Sequence, residues 1–145
     1  MDVTVRAWEE KDISILTEME ARCFSDPWTE EMLADALKYP YYHTFLAEEG
    51  GQVCGYACLI VLFEDAEIGN IAVDLPYRGR KIGQLLLDAM HERAKACGAK
   101  RSLLEVRVHN LPAISLYEKN GYERYGVRAK YYEDGEDAFV MKKTL

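Results

Sequence analysis

The segment RGRKIGQLLLDAMHERAKACG, residues 78–98, decides the fold because the hydrophobic pattern of the chain changes here. Its apolar residues recur three or four positions apart, and Gly98 follows the last of them, so the segment predicts an amphipathic helix. The strand-like runs AEIGNIAV (66–73) and RSLLEVRV (101–108) flank it on either side. A strand, a helix and a second strand in this order predict a crossover unit with two parallel strands.

The remaining segments predict further strands and short helices around this unit. VTVRAW (3–8) alternates as a half-buried strand does, and residues 41–47 and 52–63 form a hairpin around the turn EEGG. Asp12, Thr29 and Asn110 are placed to cap three helices, and Gly121 ends the last of these. Residues 122–132 and 137–143 predict a final pair of strands. No linker or repeat divides the chain, so we expect one α/β domain spanning residues 1–145.

Composition and charge restrict the classes of function. The 145 residues carry a formal net charge of -7, which argues against nucleic acid as a primary partner and favours a basic or amine-bearing substrate. The longest apolar run has far fewer than the roughly 20 residues of a membrane helix, and no signal peptide is expected at the N-terminus. We expect neither a membrane association nor a metal site. The four cysteines form no C-x-x-C pair; Cys54 and Cys58 are expected to share a buried strand face, as free thiols in a reducing cytoplasm.

The segment RGRKIG (78–83) joins a predicted strand to a predicted helix, where free backbone N–H groups and the helix dipole favour anions. It contains neither a Walker loop nor a G-x-G-x-x-G motif. The residues alone therefore leave two interpretations open, a phosphate-binding loop and an ordinary arginine-rich turn.

NIAVDLPYRGRKIGQLLL (70–87) followed by LLEVRVHNLPAISLYEKNGY (103–122) resembles the acetyl-CoA-dependent N-acyltransferases of the GNAT superfamily. The resemblance implies a mixed, mostly antiparallel sheet with one parallel crossover and helices on both faces. It implies acetyl-CoA as co-substrate, bound by Ile71, Ala72, Val73, Arg78, Gly79, Arg80, Lys81, Ile82, Gly83 and Asn110. Lys81 replaces a glycine that is usual in the family's pyrophosphate loop. We expect Lys81 to be helical, because a left-handed lysine would cost on the order of 1 kcal/mol.

CFSDPW (23–28) and the tail GVRAKYYEDGEDAFVMKK (126–143) narrow the resemblance to the RimI-type branch of that superfamily. Members of this branch acetylate the N-terminal alanine of a small-subunit ribosomal protein. The resemblance therefore implies a basic ribosomal-protein N-terminus as partner, in the cytoplasm, with the enzyme a monomer or weak dimer. A lysine side chain, a polyamine or another small amine is the alternative acceptor, and a non-catalytic coenzyme sensor is the alternative to an enzyme.

Glu105 is the carboxylate that interrupts an otherwise apolar strand. Alternation places it on one face with Leu103 and Arg107, while the opposite face is apolar. The residues alone leave open whether Glu105 pairs with Arg107 or accepts a proton. The resemblance implies the second role, since an α-ammonium must lose a proton before it attacks a thioester.

Further residues complete the implied site. The resemblance assigns Tyr117 the transfer of a proton to the departing thiolate, with a purely structural core aromatic as the alternative. Asn110 is expected both to cap its helix and to reach the pantetheine arm, with capping alone as the alternative. The Val73 N–H is expected to stabilise the carbonyl oxygen. The expected substrate-binding residues are Trp28, Glu67, Tyr131 and Tyr132, with a purely packing role as the alternative for the tyrosines.

Overall fold

The computed structural model describes residues 2–145. Its strands are β1 (Val3–Arg6), β2 (Tyr42–Glu49), β3 (Gln52–Leu62), β4 (Asp65–Val73), β5 (Arg101–Arg107), β6 (Glu123–Arg128) and β7 (Ala138–Thr144). Its α-helices are α1 (Ile13–Cys23), α2 (Glu30–Asp35), α3 (Ile82–Ala96) and α4 (Leu111–Lys119).

The strands form one sheet in the order β1-β2-β3-β4-β5-β7-β6. The β4–β5 pair is parallel and every other neighbouring pair is antiparallel, which confirms the predicted crossover and the mixed sheet. One hydrophobic core, with α1 and α2, contains Leu16, Leu33 and Tyr56. The other, with α3 and α4, contains Leu86 and Ile114. Helices therefore cover both faces, as expected.

The parallel pairing of β4 and β5 is short. Residues 65–67 of β4 pair with residues 101–103 of β5, and no β4–β5 pairing extends further within residues 2–145. Beyond that point β4 remains paired with β3 as far as Val73, and β5 remains paired with β7 as far as Arg107. The two strands therefore separate, and we call the space between residues 68–73 and 104–107 the β4–β5 cleft.

A bulge at Gly69 changes which side chains of β4 face each core. Cys58 pairs with Asn70, but Leu59 pairs with Ile68, so Gly69 is left without a partner. Ile68 packs in the α3 core, whereas Ala72 packs in the α1 core. A single extra residue shifts the two-residue alternation and thereby moves the following side chains to the opposite face.

A second bulge corrects the prediction that Cys54 and Cys58 share a face. Ala47 pairs with Gly55 and Glu48 pairs with Val53, which leaves Cys54 as the extra residue. Both thiols are buried as expected, but Cys54 lies in the α3 core and Cys58 in the α1 core.

Helix capping follows the prediction at two of three positions. Thr29 Oγ1 accepts a hydrogen bond from Met32 N at 3.1 Å, and Asn110 Oδ1 accepts one from Ala113 N at 3.3 Å. Asp12 does not cap α1 in this way. Its carboxylate instead accepts from Glu9 N at 2.7 Å and from the Arg6 guanidinium at 2.8 Å, because a 3-10 turn at Glu10–Asp12 precedes the helix.

Candidate active site

Two amides of β4 point into the β4–β5 cleft. Asp74 N donates to Cys54 O at 2.8 Å, which makes those two residues a hydrogen-bonded pair across β3 and β4. Hydrogen-bonded and non-hydrogen-bonded pairs alternate along an antiparallel ladder, so Val73 opposite Gly55 and Ile71 opposite Ala57 are non-hydrogen-bonded. The N–H groups of Ile71 and Val73 therefore point away from β3, toward the side on which β5 has separated.

Glu105 lies on the β5 edge of the same cleft, with its side chain only 15% exposed. Its carboxylate is 3.5 Å from Arg128 Nε on β6. Burial, together with the negative charge of Glu67, raises the pKa of Glu105, and Arg128 partly offsets this rise. A carboxylate with a raised pKa is a stronger base than a solvent-exposed one, so Glu105 is suited to accept a proton.

Arg107 does not pair with Glu105. Its guanidinium donates to Asp26 Oδ1 at 2.9 Å in the α1–α2 loop. It also donates to Asp134 and to Glu136, both at 2.8 Å, in the β6–β7 loop. Arg107 thus joins the two loops at the end of the cleft. Its carboxylate partners are Asp26, Asp134 and Glu136, so the structure does not support the alternative in which Glu105 pairs with Arg107.

The expected substrate residues lie around Glu105 and Arg107. The rings of Tyr131 and Tyr132 pack edge to face at 5.0 Å, and Arg107 stacks on Tyr132 at 4.0 Å from the ring centroid. Both tyrosines lie in the loop of residues 129–137, because β6 ends at Arg128 rather than continuing to Tyr132 as the sequence predicted. Arg128, whose Nε is 3.5 Å from Glu105, lies over the Tyr131 ring at 5.7 Å from its centroid, so Tyr131 and Glu105 share this arginine as a neighbour. Burial raises the pKa of Tyr131, and the charges of Glu105 and Glu67 add to that rise.

Trp28 lies on the side of β4 that faces α1. Its indole Cη2 would be 3.3 Å from a Cβ atom added at Gly69, so this glycine permits the close approach of the ring to the bulge. Glu67 is exposed on β4 just before the bulge. Trp28, Glu67 and Tyr131 therefore surround the cleft on the α1 face of the sheet.

Tyr117 is 5% exposed in the α3 core, on α4. Its ring packs against Tyr122 at 5.6 Å. Burial raises the pKa of Tyr117, and the neighbouring Tyr122 and Tyr132 add to the effect, so the phenol is protonated at neutral pH. Its position in the α3 core is compatible with both interpretations of Tyr117, a core aromatic and a proton donor.

The loop before α3 contains two left-handed residues, which are separated by Arg80. Gly79 has φ 80° and Lys81, the N-cap of α3, has φ 64°. The expectation that Lys81 is helical is therefore wrong. For L-residues the left-handed conformation costs roughly 1–2 kcal/mol, because Cβ approaches the following carbonyl oxygen. Such a turn followed by a helix N-terminus directs several backbone N–H groups to one side, which is a geometry suited to phosphate.

The arginines of this loop are engaged with the protein. Arg78 Nε donates to Val73 O at 3.0 Å, and Arg80 forms an ion pair with Glu49 at 2.7 Å. Gly83 packs closely against Leu116 of α4, where an added Cβ would lie at 3.4 Å. Arg78 and Arg80 therefore already have partners in the protein, which makes the backbone amides and Lys81 the candidate anion-binding groups of this loop. Asn110 is exposed at the start of α4.

Comparison with known proteins agrees with this geometry. The family model described as Acetyltransferase (GNAT) family matches residues 13–122. The chain belongs to this family. A candidate ribosomal protein bS18-alanine N-acetyltransferase of Bacillus subtilis is 40% identical over 97% of this chain and 95% of its own length. An N-alpha-acetyltransferase of Mycobacterium tuberculosis is 34% identical over 97% of this chain and 92% of its own length.

The fold agrees equally well with a solved member of the family. The crystal structure of the ribosomal-protein-S18-alanine N-acetyltransferase from Escherichia coli superimposes with a TM-score of 0.90 at 31% identity, covering 99% of this chain and 94% of that one. Acetyl-CoA is the acetyl donor of the GNAT family, so it is the co-substrate of this member. Within residues 2–145 no helix is both long and apolar enough to span a bilayer.

Two charged residues at the site were not singled out from the sequence. The interloop contacts of Arg107 depend on residues far away in the chain, so no local pattern identifies them. Glu20, which is 1% exposed, could have been identified from the sequence. It lies four residues after Leu16 and seven after Ile13, and therefore on the apolar stripe of α1. A carboxylate on that stripe indicates a buried charge with specific partners.

Proposed function

We propose that this chain transfers the acetyl group of acetyl-CoA to the N-terminal α-amine of a protein. The acceptor we infer is the N-terminal alanine of a small-subunit ribosomal protein, which is what the relatives' names describe for those proteins. The observation that carries the proposal is the position of Glu105, a largely buried carboxylate across the cleft from the β4 amides that point away from β3. Acceptor, base and thioester can meet at that point.

Coenzyme binding is assigned to the β4 edge and the loop that follows it. The backbone of Ile71, Ala72 and Val73 would align the pantetheine arm and thioester as a further strand would. The amides of residues 79–83 would hold the pyrophosphate at the start of α3, with Lys81 adding a positive charge. Asn110 would reach the pantetheine arm from the opposite side of the cleft while it caps α4.

Glu105 is the proposed general base. A peptide α-ammonium has a reference pKa near 8, so most of it is protonated and not nucleophilic at neutral pH. Glu105 takes one proton from the ammonium, and the freed nitrogen lone pair forms a bond to the thioester carbonyl carbon. The raised pKa of Glu105 makes it a better acceptor for that proton.

Val73 N–H and Tyr117 are assigned to the two sites where negative charge develops. As the new C–N bond forms, the carbonyl oxygen gains charge, and the Val73 N–H that points into the cleft would stabilise it. The C–S bond then breaks with its electron pair on sulfur, and the Tyr117 hydroxyl supplies a proton to the thiolate. The nitrogen loses its second proton to solvent, Glu105 releases the first proton to water, and the Tyr117 phenolate is reprotonated from water, so that one proton is released overall.

Recognition of the acceptor is assigned to Trp28, Glu67, Tyr131 and Tyr132. Glu67 carries a negative charge suited to an ammonium, and the aromatic side chains around it restrict the space for the first residue, which favours alanine. The net charge of -7 favours a basic protein tail by long-range attraction. We place the enzyme in the cytoplasm, where such tails are synthesised, as a monomer or weak dimer.

The deciding experiment measures thiol release from acetyl-CoA with a short basic peptide that begins with alanine. The control is the same peptide with a blocked N-terminus and free lysines. Release with the free N-terminus alone supports the proposal. Equal release with both peptides would assign lysine side chains as acceptors, and release with neither, at saturating coenzyme, would refute acetylation of such peptides.

A further inference from the structure

Glu20 is a buried carboxylate with every oxygen engaged. Oε1 accepts a hydrogen bond from the backbone N–H of Trp28 at 2.7 Å. Oε2 accepts from Asn70 Nδ2 at 2.6 Å and from the hydroxyl of Tyr56. Burial raises the pKa of Glu20, and these three donors oppose that rise by stabilising the charged form.

These contacts join four separate segments at one point. Glu20 belongs to α1, Trp28 to the α1–α2 loop, Tyr56 to β3, and Asn70 to β4 immediately after the bulge. Trp28 lies over the bulge residue Gly69, and Asn70 directly precedes the β4 amides that face the cleft. The carboxylate therefore holds the loop that carries Trp28 against the strand that carries the coenzyme-binding backbone.

We propose that Glu20 is a positioning residue that fixes the acceptor-binding loop. The proposal rests on the function assigned above, in which Trp28 contacts the acceptor. Glu20 does not touch the reacting atoms, since its side chain is enclosed in the α1 core and both its oxygens are occupied. It acts through the Trp28 backbone, and its loss should weaken acceptor binding more than coenzyme binding.

The variant Glu20→Leu fills the same core position and removes the acceptor oxygens. Loss of a fixed loop should raise the KM for the alanine peptide by about tenfold, which corresponds to about 1.4 kcal/mol of binding free energy. The KM for acetyl-CoA should stay within about twofold, because the loop before α3 is untouched by this substitution. A rise of both constants together, or of neither, would overturn the proposal.

Asp12 supplies a matched control near the start of the same helix. It is 5% exposed, and its carboxylate also accepts three hydrogen bonds, from Glu9 N and twice from Arg6. Asp12→Ala should lower thermal stability while leaving the peptide KM within about twofold of the parent value, because its contacts lie away from the cleft. If Asp12→Ala raises the peptide KM as Glu20→Leu does, the effect is general destabilisation and the proposal fails.

A double substitution of Glu20 and Trp28 distinguishes a positioning role of Glu20 from a purely structural one. In a Trp28→Ala background, adding Glu20→Leu should change the peptide KM by less than about twofold, because the indole that Glu20 holds in place is already absent. Full additivity would overturn the proposal. The activity of the unsubstituted protein tests the proposed function separately. If that protein does not acetylate the peptide, the proposed activity is refuted, whatever the variants do.

A measurement on the unaltered protein covers the case in which Glu20→Leu does not fold. The Trp28 amide donates to a buried carboxylate, whereas Ser25 is an exposed residue of the same loop. Hydrogen exchange at the Trp28 amide should therefore be at least about tenfold slower than at the Ser25 amide, after correction for intrinsic rates. Equally fast exchange at both amides would show that Glu20 does not hold the loop.

Discussion

The charges on either side of Glu105 predict opposite displacements of the pH–activity curve. Arg128 stabilises the ionised form of Glu105 and Glu67 destabilises it. Arg128→Gln should raise the pKa of Glu105 further, whereas Glu67→Gln should lower it. Because the proposed base works in its deprotonated form, activity should fall as the pH falls through this pKa. The acid limb therefore moves to higher pH in Arg128→Gln and to lower pH in Glu67→Gln.

The separation of 3.5 Å between Glu105 and Arg128 sets the size of the first displacement. Coulomb's law gives about 1.2 kcal/mol for unit charges at this distance in water and about 4.7 kcal/mol at an effective dielectric of about 20. Arg128 is 58% exposed, so solvent screening reduces the interaction to the range of surface pairs, about 0.2–1 kcal/mol. One pH unit corresponds to about 1.36 kcal/mol, so the midpoint should move by about 0.15–0.7 pH units.

The assay is kcat/KM for the alanine peptide from initial rates of thiol release across the acid range. Arg124→Gln is the control, because Arg124 lies on the same strand, β6, but pairs with Glu118 at 3.8 Å. Its acid limb should coincide with that of the parent. Displacements of the same sign in Arg128→Gln and Glu67→Gln would refute the assignment of the acid limb to Glu105.

Three substitutions test the remaining assignments. Glu105→Gln should lower kcat/KM by about 10²–10⁴-fold and abolish the acid limb, as expected for loss of a general base; full activity would exclude Glu105 as that base. Lys81→Gly should raise the free energy of unfolding by about 1 kcal/mol by relieving the left-handed backbone, whereas Lys95→Gly inside α3 should lower it by a similar amount; thermal unfolding distinguishes the two. Tyr117→Phe should leave the unfolding free energy within about 0.5 kcal/mol but lower kcat by about 10²-fold. An unchanged kcat would assign Tyr117 to packing alone.

The crossover could be predicted because its signal is local. The change from a two-residue to a three-to-four-residue hydrophobic period is visible in residues 66–108 without knowledge of any contact. Glu105 could be placed on the correct face of β5 for the same reason, since β5 is regular from Arg101 to Arg107. Caps at Thr29 and Asn110 also depend only on residues three positions away.

The features that the sequence did not predict depend on contacts between distant segments. Cys54 changes face because β2 and β3 differ by one residue in register, and the residue types on either strand do not encode that slip. Lys81 is the left-handed N-cap of α3, a conformation that its residue type disfavours. The Asp12 carboxylate binds Arg6, a residue of β1, instead of a backbone N–H in the first turn of α1.

The bulge at Gly69 connects the fold to the proposed chemistry. Before the bulge, β4 pairs with β5. After the bulge, β4 remains paired only with β3, and β5 remains paired with β7. Without the extra residue, the alternation would place the Asn70 side chain toward α3, away from Glu20. The same shift determines that the amides of Ile71 and Val73, rather than those of their neighbours, face the cleft. One unpaired glycine therefore sets both the backbone proposed to bind the thioester and the contact proposed to hold the acceptor loop.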